Sequence, residues 1–254
     1  MATTVGQLLE AVEALAPVAL AEAWDNVGLQ IGAPEARVER ALLTVDVTRQ
    51  VLAEAATNRA DAIVAHHPVL FGAVASLRPD RWPGCVVAPL IEARRALIVA
   101  HTNLDGSPAC NTSLALAEAL GLPECSPLQS QPEAAGFLGV VAESVPLAVG
   151  ELAARAQAAL GAQHIALGAA GARVVRRIAV VAGSAKGLLE AALDRGVEAI
   201  LTGELGHHAG LEAEELGLSV VEVGHAASER PGMARLAERL GGVLDAAVEV
   251  ATAT

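Results

Sequence analysis

Short apolar runs alternate with helical patterns along the chain. Each run is apolar on both faces and predicts a buried strand. Between the runs lie stretches rich in Ala, Leu and Glu that often end at Gly, which predicts helices. Strands of this kind alternating with helices are typical of mostly parallel sheets covered on both sides. The pattern predicts an α/β fold with strands at ALLTVDV (41–47), DAIVAHH (61–67), ALIVAH (96–101), GFLGVVA (136–142), RIAVVAG (177–183), EAILTGE (198–204) and SVVEVGH (219–225).

A proline-rich segment, GLPECSPLQSQPEAA (121–135), interrupts this alternation and predicts a linker. The chain is therefore expected to form a first α/β lobe over residues 1–125 and a second over 126–254, with the C-terminal segment returning to a site between them. Both halves contain a strand, a helix and a strand followed by paired histidines. This similarity predicts two related three-layer lobes, although any chain of strand-helix-strand units could imitate it.

Composition and charge exclude several classes of protein. The net charge is −12 and no basic run is present, so nucleic-acid binding is not expected. No apolar run approaches the length of a membrane span. The first residues carry Glu10 and Glu13 without a basic region, which favours an amphipathic helix over a secretory signal and predicts a cytoplasmic location. The three cysteines lack CxxC spacing, which indicates buried thiols rather than disulfides or a zinc knuckle.

The histidines are concentrated at the carboxyl ends of predicted strands. Ligands bind outside these ends in parallel sheets, so histidines distant in sequence can converge on one crevice. Imidazole is a common ligand of first-row metal ions, and nearby carboxylates would add oxygen ligands. The sequence therefore predicts a metal site. Its candidate ligands are His66, His67, His101, His207, His208 and His225, with Asp105, Glu204 and Glu229; His164 lies elsewhere.

Several of these residues also have simpler interpretations. Paired histidines at a strand end can be held by ordinary hydrogen bonds, although Pro68 should end the strand and leave both rings accessible. Asp105 precedes Gly106 and can make an Asx turn. Glu229 falls in the first turn of a helix that Ser228 can cap, where the helix dipole favours a carboxylate in any protein.

A glycine-rich turn offers a second candidate site. GSAKG (183–187) follows a strand and opens a helix, as an anion-binding turn would, and Lys186 is the only lysine in the sequence. The segment is not a P-loop, because GxxxxGK is absent. Phosphate binding and an ordinary turn with a solvated lysine both remain open.

Taken in order, five motifs resemble the Nif-three-like dinuclear metal proteins, also called GTP cyclohydrolase type 2 homologs. The resemblance covers nearly the whole chain and is to the short form, without the domain that some members insert midway. The motifs are EAWDNVGL (22–29), DAIVAHHPVLF (61–71), HTNLD (101–105), LTGELGHHAGLEA (201–213) and VGHAASERPGM (223–233).

This resemblance implies two divalent ions, which zinc, iron, manganese or cobalt would suit, with Asp105 as the bridge. It also implies a homo-oligomer, a hexameric toroid with its metal centres facing an internal cavity. The implied ligands are His66, His67, Asp105, His225 and Glu229. The implied supporting residues or substrate contacts are Asp25, Asn26, His101, Glu204, His207 and His208.

The function implied is that of a metal-dependent hydrolase, in which a metal-bound hydroxide attacks a nucleotide, a phosphoester or a cyclic amide. His101 and Glu204 are the candidates for proton transfer. The alternative is a non-catalytic scaffold for metal storage, delivery or regulation. An open coordination position carrying water would distinguish the two, and a sequence does not show it.

Overall fold

The computed structural model describes residues 3–122, 124–131, 135–161, 166–167 and 172–252. Its described helices are α1 (Val5–Leu15), α2 (Arg49–Thr57), α3 (Gly84–Glu92), α4 (Thr102–Asp105), α5 (Thr112–Ala119), α6 (Val149–Leu160), α7 (Leu189–Asp194), α8 (His207–Glu215) and α9 (His225–Gly241). Its described strands are β1 (Thr3–Thr4), β2 (Gly28–Ile31), β3 (Arg37–Val38), β4 (Arg40–Thr44), β5 (Ala62–Ala65), β6 (Ala96–Val99), β7 (Cys125–Gln131), β8 (Gly136–Ala148), β9 (Ala166–Leu167), β10 (Val174–Ser184), β11 (Ala199–Glu204), β12 (Ser219–Glu222) and β13 (Ala247–Val250).

The chain divides into two compact units. The first contains Met1–Cys110 and Met233–Thr254, and the second contains Asn111–Gly232. The division therefore falls at 110/111 rather than at the expected 125/126. The predicted linker is not a linker over β7, because that strand pairs with β8 in the sheet of the second unit. Pro127 is accommodated there because β7 is an edge strand. Pro123 and residues 132–134 of the predicted linker lie outside the described residues, as does His164.

In the first unit, β1 and β3 pair separately, and five described strands form a sheet in the order β13-β4-β5-β6-β2. Its strands are parallel except β2, which runs antiparallel to β6. Every residue of β5 and β6 is buried, as expected for strands that are apolar on both faces. Because β4, β5 and β6 are parallel neighbours, the residues that follow them lie along the same edge of the sheet.

In the second unit, the described strands form a sheet in the order β7-β8-β10-β11-β12-β9. The strands β10, β11 and β12 are parallel, and the flanking strands pair antiparallel. The predicted α/β class with mostly parallel strands is confirmed, with antiparallel strands added at the edges. Among the described residues, no helix is both long and apolar enough to cross a membrane.

Candidate metal centre

Three histidines of the first unit form one cluster at the carboxyl edge of its sheet. His66 and His67 follow β5, and His101 follows β6. The ring centroids lie 5.1 to 5.5 Å apart. One ring nitrogen of each lies within 4.8 Å of those of the other two. Pro68 follows β5 closely, and His66 is buried while His67 and His101 are half-buried. Three nitrogen atoms at this spacing could hold a metal ion.

In all three rings, the Nδ1 atom faces an oxygen acceptor. The Nδ1 atom of His66 lies 2.8 Å from the carbonyl oxygen of Ala100. The Nδ1 atom of His67 lies 2.8 Å from Asp46 Oδ1, and that of His101 lies 2.9 Å from Asp25 Oδ1. Because each partner is an oxygen acceptor, we assign the proton of each neutral ring to Nδ1 and the lone pair to Nε2. Metal-binding histidines almost always make this second hydrogen bond. The cluster therefore fits a metal ion.

Asp25 is the centre of a buried hydrogen-bond network. Its side chain is fully buried and accepts from His101 Nδ1. It also accepts from Thr102 N at 3.0 Å, from Thr102 Oγ1 at 2.5 Å and from Asn26 N at 2.8 Å. Burial opposes ionisation of this carboxyl, but the hydrogen bonds from His101 and Thr102 outweigh burial and lower the pKa of Asp25. Asp25 is therefore a carboxylate at neutral pH and positions His101.

The charge state of His101 follows from its surroundings. Burial lowers its pKa, and His66 lowers it further, while Asp25 and Asp105 act in the opposite direction without cancelling the shift. His101 is consequently neutral at pH 7, which is the form that binds metals. Asp105 ends the short helix α4, and its Oδ1 lies 3.6 Å from His66 Nε2. The predicted carboxylate is thus at the same cluster.

The loop containing Asn26 is tied to the segment after the paired histidines. The side-chain amide of Asn26 donates to the carbonyl oxygen of Leu70. Gln30 donates to the same oxygen at 3.1 Å and accepts from Leu70 N at 3.0 Å. The structure therefore shows Asn26 joining two loops of the first unit.

A second group of candidate ligands lies within the second unit. His225 begins α9, and its Nε2 lies 3.1 Å from Oε1 of the buried Glu229, one helical turn later. The Nδ1 atom of His225 lies 3.3 Å from Glu204 Oε1, at the end of β11. His225 thus has a carboxylate at each ring nitrogen. This group could contribute ligands to a metal ion.

Two glycines create the space for this second group. A Cβ atom on Gly183 would lie 2.6 Å from Glu229 Oε1, and its φ of +67° also favours glycine. A Cβ atom on Gly203 would lie 2.6 Å from Ser228 Oγ. Ser228 accepts from Gly183 N at 2.8 Å and donates to the carbonyl oxygen of His225 at 2.6 Å. The expectation that Ser228 caps the helix is wrong, because α9 already begins at His225.

The remaining candidates lie outside these two groups. His207 and His208 are exposed and begin α8 rather than ending a strand, because Gly206, with φ +81°, turns the chain first. Within the described part of the chain, no set of three candidate ligands includes them. Lys186 is exposed in a single 3-10 turn before the six-residue helix α7, so nothing here supports phosphate binding.

Asp46 is a functional candidate that the sequence analysis missed. It follows β4 and holds His67 in the orientation described above. The available signal was its position near the carboxyl end of the predicted strand 41–47, like the positions of the histidines. The carboxylates considered were those near a histidine in sequence, whereas Asp46 reaches His67 across two neighbouring strands.

Comparisons with known proteins agree with the resemblance seen in the motifs. The chain matches the model of the family Duf34/NIF3 (NGG1p interacting factor 3) over residues 3–254. A Streptomyces coelicolor protein named GTP cyclohydrolase 1 type 2 homolog is 38% identical over 232 residues, covering 89% of this chain and 81% of that protein. A Clostridium perfringens protein of the same name is 32% identical over 247 residues, covering 95% and 93%. The solved structure of a Bacillus cereus protein related to NIF3 has a TM-score of 0.91 at 19% identity, covering 100% of this chain and 98% of that one, and shows the shared fold.

Proposed function

The chain belongs to the Duf34/NIF3 family, and from this premise we propose that it is a metal-binding protein that holds two divalent ions. The observation that carries the proposal is the common orientation of His66, His67 and His101, each with Nδ1 on an oxygen acceptor. Histidines that only fill a hydrophobic core would not all need to place Nδ1 on an oxygen acceptor. The proposed ligands are His66, His67, His101, Asp105, His225 and Glu229.

The two groups offer different sets of ligands. The first contributes three imidazoles and Asp105, whose carboxylate has two oxygens and can bridge. The second contributes His225 and the carboxylate of Glu229. A mixture of imidazole and carboxylate ligands suits zinc, iron, manganese or cobalt.

The contacts favour new roles for the two residues first considered for proton transfer. His101 is proposed as a ligand, because its ring nitrogen lies with those of His66 and His67. Glu204 is proposed to position His225, because it faces Nδ1 of that ring while Glu229 faces Nε2. This arrangement repeats the pairing of His67 with Asp46 and of His101 with Asp25.

The proposed activity is hydrolysis of a nucleotide, a phosphoester or a cyclic amide. Divalent ions, when bound, would polarise the attacked group and lower the pKa of a water molecule. The chain's own contribution is to hold His101 neutral, to orient the rings of His66, His67 and His101, and to bury Glu229 beside His225. The name that the relatives carry, GTP cyclohydrolase 1 type 2 homolog, supports a nucleotide substrate. The alternative remains a scaffold that stores or delivers metal without turnover.

We further propose a cytoplasmic homo-oligomer of six chains, on the basis of the family resemblance. Light scattering tests this proposal directly, since one chain has a mass of 25.7 kDa and a hexamer six times that mass. A monomer at micromolar concentration would contradict it.

Metal analysis of protein purified without added ions tests the central proposal. Wild-type protein should retain metal, or take up two ions per chain from zinc or manganese solutions. His67→Ala and Glu229→Gln should each lower the metal content. His208→Ala is the matched control, since this exposed histidine lies in neither group. Wild-type protein that takes up no metal would refute the proposal. Metal-loaded protein without activity toward any of the three substrate classes would favour the scaffold.

A further inference from the structure

A pocket of about 510 Å³ lies within the first unit beside the histidine cluster. This volume falls in the range of small-molecule sites, which are mostly apolar with a few polar groups at fixed positions. The ring of His67 and the carboxylate of Asp46 belong to the proposed metal site, and Thr48, Arg49 and Gln50 are further polar residues of the lining. The residues that matter here are Asp46, His67, Val69, Trp82, Cys85 and Val86.

Trp82 is the aromatic residue of this pocket. The sequence contains two tryptophans, two phenylalanines and no tyrosine. Burying a large aromatic ring is strongly favourable, yet Trp82 is 63% exposed, and Trp24 and Phe71 are exposed as well. Of these three residues, only Trp82 lines the pocket. An exposed indole beside apolar walls offers a flat surface on which a planar ring can stack.

The loop that carries Trp82 is held by specific contacts. Arg78 makes two hydrogen bonds to Asp80, at 2.8 and 3.0 Å, and its carbonyl oxygen accepts from Arg81 N at 3.1 Å. Gly84 allows this turn to pass close to the start of α3, because a Cβ atom there would overlap the carbonyl of Arg78. The exposed indole is therefore presented by an ordered turn.

We propose that this pocket binds an uncharged planar heteroaromatic ring of the substrate, stacked on Trp82, and places the reacting group beside His67. The apolar side chains Val69 and Val86 suit the faces of such a ring. The pocket is lined by the Asp46 carboxylate and also by Arg49, so its lining favours neither an anionic nor a cationic ring. This inference rests on the proposed function, because His67 is significant only if it holds a metal ion.

Fluorescence of Trp82 provides the first test. In a Trp24→Phe variant, Trp82 is the single tryptophan. Adenosine, guanosine and 6,7-dimethylpterin are the ring probes, and ribose and cyclohexanol are the controls without an aromatic ring. We expect saturable quenching by at least one ring probe and none by either control. Trp82→Ala should weaken the binding of that probe about tenfold, as measured by equilibrium dialysis, because stacking on an aromatic side chain contributes on this scale.

Alkylation of Cys85 provides an independent readout. Cys85 lines the pocket, whereas burial raises the pKa of Cys110 and raises that of Cys125 to about 11, so iodoacetamide should react first at Cys85. A bound ring probe should slow the labelling of Cys85, as mapped by mass spectrometry, and should leave labelling at the other two cysteines unchanged.

The metal content of the same samples separates the two proposals. Normal metal content, without quenching or protection by any ring probe, would overturn the pocket assignment alone. Quenching of Trp24 in a Trp82→Phe variant, without protection of Cys85, would place the ring elsewhere and would also overturn it. Protein that takes up no metal but still protects Cys85 would refute the proposed function, and the pocket would then be a ring-binding site unrelated to metal chemistry.

Discussion

The substitution Asp25→Asn tests whether the buried carboxylate of Asp25 orients the proposed metal ligand His101. The variant keeps the size of the side chain but removes its charge and replaces one acceptor oxygen by a donor NH₂. The carboxylate accepts from His101 Nδ1 and Asn26 N through Oδ1, and from Thr102 N and Oγ1 through Oδ2. The amide oxygen is best placed toward Thr102, which directs the NH₂ group toward His101. His101 must then accept on Nδ1, and its proton moves to Nε2.

Two separate losses follow from this rearrangement. Hydrogen bonds to charged groups contribute about 1.5–3 kcal/mol and neutral ones about 0.5–1.5 kcal/mol. Weakening the two bonds from Thr102, losing the bond from Asn26 N and replacing the bond from His101 should therefore cost about 2–4 kcal/mol of unfolding free energy. Protonation of Nε2 removes the lone pair that would bind metal. Loss of such a supporting carboxylate typically lowers metal affinity by about 10–100-fold.

Urea unfolding of metal-free protein and competitive chelator titration measure the two losses separately. Asp46→Asn is the informative control, because its carboxylate supports His67 but is half-exposed. It should weaken metal binding with little loss of stability. Asp80→Asn, in an exposed pair with Arg78, should change neither quantity. If Asp25→Asn lowered stability but left metal affinity at the wild-type value, the proposed role of Asp25 in orienting a metal ligand would be wrong.

Three further predictions follow from the contacts. Gly183→Ala should destabilise the protein by about 1 kcal/mol because Gly183 has a positive φ, and it should weaken metal binding because the new Cβ atom would displace Glu229. Gly187→Ala is the control, because Gly187 lies in open space, and it should leave metal binding intact. Equal metal affinity in the two variants would contradict the close approach of Gly183 to Glu229. The pKa values of His101 and Asp25 are both lowered in the folded state, so the unfolded chain binds more protons than the folded protein. The urea midpoint of metal-free protein should therefore fall as the pH drops below 6.5, where His101 contributes, and again below 3.8, where Asp25 contributes. The variant His101→Gln should abolish the first decrease. Asp61→Asn and Glu198→Gln should each lower the unfolding free energy by about 1 kcal/mol, because each carboxylate accepts hydrogen bonds from two backbone N–H groups. Clearly unequal urea midpoints of the two variants would show that the two carboxylates do not have equivalent roles.

Central strands were predictable because a strand buried on both faces is a continuous apolar run. The edge strands were harder to predict. β13 alternates exposed and half-buried residues over AVEV, and β7 carries polar residues and Pro127 on its exposed positions. The segment of β7 has the composition of a loop, and only pairing with β8 makes it a strand. This is why the proline-rich segment predicted a linker where the structure has an edge strand.

The candidate site was predictable wherever a ligand directly follows a strand. His66, His67 and His101 were identified in this way. Their partners were not, because the pairing of Asp46 with His67 depends on which strands are neighbours, and a single sequence does not specify strand order. His207 and His208 show the opposite error, since a glycine turn places them in a helix beyond the strand end.

One hydrogen-bond arrangement that occurs in both halves supports the predicted relationship between them. Asp61, just before β5, accepts from the backbone N–H groups of Glu39 and Arg40 at the start of β4. Glu198, just before β11, accepts from those of Arg176 and Arg177 in β10.

Both acids precede the same dipeptide, Ala-Ile, and the sequence separations are 21 and 22 residues in each case. A generic strand-helix-strand unit does not require an acid at this position. The repeat therefore favours a duplicated unit whose framework was kept while its strand ends diverged: paired histidines follow β5, whereas Glu204 ends β11 and faces His225. On this view the residues beyond the strands differ between the two halves because only they were free to change.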